Sequence, residues 1–282
     1  MTNKRFVNTF NNSICILMLI AFSICSINKV YSQKQRALPP NLENYDDSRY
    51  HFGFTLSANF MGFRLNTADG YTEHIYNSAS VDSVFNFGNG TEMKINNIQT
   101  VHNPGFSVGI VGNFRLGKYF DLRIVPGLTL AFRQVVFDFD EKKRNSTEFT
   151  HFEPLDVHIN NMQLESVFID LPVMIKYKGQ RIYNMRPYIL GGVEYKFDLL
   201  AVKALQNRNV RKDDFVPLKP HDLYATIGTG LDFYMFWFKL GIELRMSYGL
   251  FDIVNREMKD TFCTRSIETL RSKQFNITFT FE

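Results

Sequence analysis

Eight stretches between Tyr50 and Glu282 carry an apolar residue at every second position, and the segments that join them alternate in length, long then short. The stretches are Tyr50–Phe60, Gly105–Leu116, Tyr119–Arg133, Ser166–Lys178, Arg186–Asp198, Leu223–Tyr234, Trp237–Tyr248 and Phe275–Glu282. Period-two alternation is the mark of a strand with two different environments on its faces. The segments Asn66–Gly105, Asp138–Glu165, Leu199–Asp222 and Phe251–Ser272 are long, whereas Gly117-Lys118, the stretch after Lys178 and Met235-Phe236 are short. Loops beyond about 12–15 residues are uncommon inside one compact water-soluble domain. Four of them at alternate connections fit an antiparallel barrel set across a membrane, with short turns at one end and long loops at the other. The predicted fold is therefore all-β: an eight-stranded antiparallel up-and-down transmembrane β-barrel over residues 50–282, with long extracellular loops and short periplasmic turns.

Strand length agrees. A membrane-crossing strand takes about 9–11 residues, while globular strands average about 5–6. Aromatic residues make up 15% of the chain and include 28 Phe, yet charged residues still reach 21%. No apolar run after Ile27 approaches the length of a membrane helix.

The N-terminus reads as an export signal. Lys4 and Arg5 precede the apolar run Ile14–Ile27, and Val30 and Ser32 suit the positions before a cleavage site. That run is short for a membrane helix, which needs about 20 residues, so residues 1–32 are expected to be a signal peptide. Residues 33–49, with Pro39-Pro40 and mixed charge, read as an extended periplasmic leader. Removing Lys4, Arg5 and Lys29 lowers the formal charge from +4 to +1, which gives no electrostatic footprint for nucleic acid. Cys263 would be the single cysteine of the mature chain, so neither an internal disulfide nor a cysteine metal site is expected.

The polar faces of the stretches carry charge of both signs: Arg115, Asp121, Arg123, Arg133, Asp170, Lys176, Glu194, Lys196, Asp198, Asp232, Lys239, Glu243 and Arg245. An eight-stranded barrel is only wide enough for its own side chains, and buried charges need partners. A lumen closed by ion pairs is expected, with a narrow porin as the alternative. Aromatic girdles are expected at both rims. Tyr50, Tyr119, Phe120, Tyr177, Tyr188, Tyr234, Trp237 and Phe281 would form the periplasmic one, and Phe60, Phe106, Phe132, Phe197, Tyr248 and Phe275 the outer one. Glu282 is expected to end in periplasmic water. Pro126 and Pro172 are expected to interrupt the third and fourth strands. Gly191, Gly192, Gly228, Gly230 and Gly241 would relieve crowding inside.

Little points to catalysis. His74, His102, His151, His158 and His221 fall in the predicted outer loops, with Asp69, Asp82 and Asp156 nearby. No nucleophile elbow, HExxH helix or calcium-loop spacing accompanies them. The triplets at Asn89, Asn145 and Asn276 match a glycosylation pattern by chance. No enzyme, cofactor or metal is expected; the expected partner read from the residues is outer-membrane lipid.

Two motifs carry a family likeness. Phe168–Gly179, "FIDLPVMIKYKG", followed by Arg186–Phe197, "RPYILGGVEYKF", resembles the paired-strand signature of the outer-membrane β-barrel family abundant in Bacteroidetes. Arg49–Leu65, "RYHFGFTLSANFMGFRL", resembles the first strand of the PorT family within it, an outer-membrane component of type IX secretion and gliding motility. The resemblance implies an accessory role in exporting cargo with C-terminal sorting domains, alongside other secretion proteins. It carries over no catalytic residue. A general small barrel, acting as a structural protein, an adhesin or a narrow porin, is the alternative.

Overall fold

The computed structural model of the chain describes residues 41–77, 91–143, 150–151, 161–206, 216–256 and 262–282. The expected signal peptide, residues 33–40 of the leader, His158, Asp82, Asp156 and the triplets at Asn89 and Asn145 lie outside these residues.

The strands are β1 (Tyr50–Thr67), β2 (Ile75–Asn77), β3 (Thr91–Arg115), β4 (Phe120–Ile124), β5 (Gly127–Lys143), β6 (Thr150–His151), β7 (Asn161–Lys178), β8 (Met185–Asp198), β9 (His221–Tyr234), β10 (Lys239–Gly249) and β11 (Ile267–Phe281). Two short helices, α1 (Leu199–Gln206) and α2 (Phe262–Arg265), lie in long connections. Every pairing is antiparallel, and β1 closes the ring by pairing with both β3 and β11. Phe54 sits opposite Ile110 of β3 on one side and Phe281 of β11 on the other. The two ends of the sheet are thus joined and no edge is left at that level.

Nine strands close the ring in eight wall positions, because β4 and β5 share one. The break falls at Val125-Pro126. β4 pairs with β7 as far as Ile124 opposite Val173, and β5 resumes at Gly127 opposite Asp170. Pro172 of β7 lies between those two partners and has no N–H to donate, so a continuous ladder could not form there. The backbone groups beside the break still pair: Val125 N–H donates to Pro172 O at 3.2 Å, and Ile110 N–H to Pro126 O at 2.9 Å. The expected interruption of the fourth strand is not found, since β7 runs unbroken through Pro172.

The strands extend further than the alternation suggests. β3 has 25 residues and begins at Thr91, inside the predicted first loop; β1 and β7 have 18 each. His102 and His221, expected in loops, are strand residues of β3 and β9.

Polarity inverts along these long strands. On β11, Thr280, Thr278, Asn276, Gln274 and Ser272 are buried inside while Phe279 and Phe275 are exposed outside. Further from Phe281 the inside turns apolar at Leu270, and the outside turns basic at Lys273 and Arg271. β5 does the same, its inner face passing from Arg133 to Val135 and Phe137. Above this level the interior is an ordinary apolar core that includes Phe63, Ile95, Phe137, Leu164, Ile253 and Leu270. Below it the interior is polar and the outer wall is an exposed apolar belt with Leu56, Ile110, Leu128, Ile189, Ile227 and Leu244.

Candidate functional site

Alternation aims every second side chain of the lower barrel inward, where polar groups lie within reach of one another across the lumen. Among the expected lumen charges, Asp121, Arg123, Arg133, Asp170, Lys176, Glu194, Lys196, Asp198, Asp232, Lys239, Glu243 and Arg245 are all buried. They form two groups. Near the short turns, Arg123 pairs with Glu243 at 2.5 Å and Glu282 at 3.3 Å, Lys239 with Glu282, and Arg245 with Glu243 at 3.0 Å. Lys176 holds Asp232 at 2.7 Å in the same group. Higher up, Lys196 bridges Asp170 and Glu194, both at 2.9 Å, and Arg133 holds Asp198 at 3.1 Å. Arg133 also lies between two rings, 4.9 Å from the centre of Phe63 and 5.0 Å from that of Phe168. That contact marks the boundary between the polar lumen and the apolar core above.

The structure places three expected residues differently. Arg115 is at the short-turn mouth rather than in the lumen, partly exposed, and bonds to the Asp46 carbonyl. Tyr188 and Tyr234 do not belong to the expected periplasmic girdle; each is 2% exposed and faces inward. Tyr188 donates to Glu243 at 3.0 Å and covers the Lys176 ammonium, 3.7 Å from its ring centre. Its phenol fits because residue 230 is glycine: a Cβ there would come 2.5 Å from the Tyr188 ring. Tyr177 and Phe275 are exposed on the outer wall, Tyr248 and Phe281 partly so, and Trp237 is exposed in the short turn between β9 and β10.

Glu282 is also corrected. Its side chain is buried, accepts from Asn113 and pairs with Lys239 and Arg123, so it belongs to the lumen network rather than to bulk water. Lys178, which holds Asp121 at 2.8 Å, and the buried Asp222 and Tyr224 were likewise missed. Strict parity would have found them: Lys178 follows Lys176 by two, Asp222 and Tyr224 precede Thr226 on one face, and Glu282 follows Thr280.

Residues 41–49 cover the short-turn mouth instead of extending away from it. Asp46 meets Arg186 at 2.9 Å and accepts from the Tyr234 hydroxyl at 3.1 Å. Arg181 donates to the Asn41 and Leu42 carbonyls, and Asn41 Nδ2 donates to Tyr234 O at 3.1 Å. Tyr45 stacks on His51 with centres 4.1 Å apart. Burial pushes its hydroxyl well above the ordinary range, so it stays protonated and donates to Glu282 Oε2 at 3.4 Å.

The space left among Thr55, Ser107, Asp170, Glu194 and Arg245 is about 20 Å³, room for a single water. Among the described residues no three of His, Cys, Asp and Glu are grouped as metal ligands would be. The arrangement is a filled, charge-paired lumen inside an apolar wall.

Residues 31–255 match the family model described as outer membrane protein beta-barrel domain. The chain belongs to that family. It is an outer-membrane β-barrel protein, and its exposed apolar belt is the surface that meets lipid. Among solved structures this barrel is similar to Neisserial surface protein A, with a TM-score of 0.36 and 10% identity over 83% of this chain and 99% of that one. It is similar also to OprG of Pseudomonas aeruginosa, with a TM-score of 0.33 and 13% identity over 81% and 95% of the two chains. No curated protein matches the sequence.

Proposed function

We propose that this outer-membrane barrel is a non-enzymatic accessory component of a protein-export system of the type IX kind, the role implied by the likeness of Arg49–Leu65 to the PorT family. The filled lumen is the observation that supports an accessory role. A barrel whose lumen is filled by paired, buried charged side chains has no passage for a polypeptide, so it would act in export through its surfaces. In this reading the short turns and residues 41–49 face the periplasm and the long connections face outward, following the rule for bacterial barrels. The partners are lipid and other secretion proteins, and no nucleic acid is involved.

The second reading is a general small barrel with a structural or adhesive role. The family match favours it equally, because that match defines the barrel and not a machine. A deletion strain separates the two. Loss of secreted cargo bearing C-terminal sorting domains, restored by the wild-type gene, is expected for the export component. Normal secretion would overturn it in favour of the general barrel. Either way the purified protein is expected to give no steady conductance in planar bilayers.

A further inference from the structure

Above the apolar belt the outer wall turns basic in one place. Phe54 of β1 faces Phe281 of β11, and ten residues along each strand Arg64 faces Arg271. A tilted strand crosses the hydrocarbon in about 9–11 residues, so the two arginines lie at headgroup level. Lys273 lies two positions below Arg271, opposite Tyr248 of β10. Next down on β1 is Gly62, with the His102 ring against it; then come Phe60, Phe275 and Met246, all exposed apolar side chains.

Like charges directly opposite on a sheet face repel and cost stability. No carboxylate offsets them here: among the described residues, Arg64, Arg271 and Lys273 form no ion pair. Arg64 is positioned by the Tyr248 hydroxyl, to which its Nη1 donates at 3.2 Å. The buried Nε of Arg271 has no partner. Arg64, Tyr248 and Arg271, with Asn66 and Thr269, line a depression of about 120 Å³; Lys273 lies beside it, opposite Tyr248 in register. About 10–15 Å³ of such space holds one water, so the hollow admits a phosphate-sized group.

We propose that Arg64, Arg271, Tyr248 and Lys273 form a binding site for the phosphate of a membrane-lipid headgroup on the outer wall, at the long-connection end. Two guanidinium forks around one hollow suit a multidentate oxyanion. The apolar residues directly below indicate a lipid rather than free phosphate, because they run beside the acyl chains such a ligand would carry. The anion removes the repulsion that the bare register builds in. The site rests on the apolar belt facing lipid and not on the export role or on sidedness.

The test is native mass spectrometry of the full chain in neutral-detergent micelles with phosphatidic acid, phosphatidylcholine or inorganic phosphate. Wild type is expected to retain phosphatidic acid over phosphatidylcholine by about tenfold, and Arg64→Gln/Arg271→Gln to lose that preference, the effect of losing at least one charge-assisted hydrogen bond. Equal retention by wild type and the double variant overturns the site. Excess inorganic phosphate is expected not to displace the lipid; full displacement would overturn the lipid assignment in favour of a free-anion site. Heat-modifiable gel migration reports whether the variant is folded. Should it not fold, Lys273→Gln takes its place, with a weakened preference expected and an unchanged one counting against the site. Micelles hold neither secretion partners nor sidedness, so failure here is separate from failure of the export role.

Discussion

Asp232→Ala should cost the lower barrel about 4 kcal/mol. Lys176 is fully buried and its ammonium donates to both Asp232 oxygens, at 2.7 and 3.0 Å. At 2.7 Å and an effective dielectric of about 20, the attraction is about 6 kcal/mol. The Tyr188 ring face, its centre 3.7 Å from the ammonium, is in contact before and after the change and does not offset the loss. Relaxation and water entry around the orphaned ammonium bring the cost below that attraction, into the range of about 3–5 kcal/mol for breaking a buried pair by deleting one partner. About 4 kcal/mol is roughly a thousandfold in the folding equilibrium. Replacing both groups, as in Lys176→Met/Asp232→Leu, should be nearly neutral, because no buried charge is then left alone. Urea unfolding in micelles, followed by the fluorescence of Trp237, measures both variants. Trp237 is the single tryptophan and stands 92% exposed in the short turn between β9 and β10, so its emission reports loss of the lower barrel. A cost below about 1 kcal/mol for the single variant, the level of an exposed pair, would refute the argument. So would a double variant that costs as much as the two single variants together.

Gly230→Ala should destabilise the same region by about 1–3 kcal/mol through overpacking, since its Cβ meets the Tyr188 ring and, at 2.7 Å, the Ile242 carbonyl; the same unfolding assay reads it. Tyr45→Ala should uncover the short-turn mouth, so that a cysteine replacing Asn113, which bonds to Glu282, becomes reactive to a water-soluble maleimide only in that variant. Asp252 gives a pH dependence in the connection after β10. Burial raises its carboxyl, but the hydrogen bonds from Arg256 and from the Leu270 and Val254 amides outweigh burial and hold it below the ordinary range. Its stabilisation is therefore fully present above the unfolded value of about 3.9 and is lost as pH falls through the lower folded value. Asp252→Asn should speed hydrogen exchange of the Leu270 amide at pH 7, and the gap from wild type should close as pH drops below that range.

The wall was legible because lipid outside and side chains inside impose a strict two-residue period, and that period survives in the sequence from Phe52 to Phe281. The broken position at Pro126 was legible in kind, since proline cannot complete a ladder, but β7 passes Pro172 intact because its neighbour supplies the gap. The lumen charges were read from parity. Tyr188, Tyr234 and Glu282 were misplaced where a general preference, aromatics at rims or a terminal acid in water, was set above parity. The upper barrel was hidden for a physical reason. Above Arg133 the inner face becomes Val135 and Phe137, so alternation measured against a lipid exterior ends there although the strand runs on to Lys143. The fold of residues 41–49 over the mouth has no periodic signal at all; it depends on contacts with residues such as Arg186 and Tyr234, far along the chain.

The inversion of polarity along each long strand makes this one ring of strands two structures stacked end to end. The lower storey is a protein turned inside out, held by lipid outside and paired charge within. The upper storey, around Phe63, Ile95, Phe137 and Leu270, is built like a water-soluble sandwich and is held by the hydrophobic effect. Urea weakens that effect directly but leaves the micelle around the lower storey in place. The barrel should therefore lose its top before its bottom, in two transitions rather than one. The strands would then remain as a shorter barrel that still spans the membrane, and Cys263, buried in the upper storey, would become accessible to thiol reagents while Trp237 still fluoresces as it does in lipid.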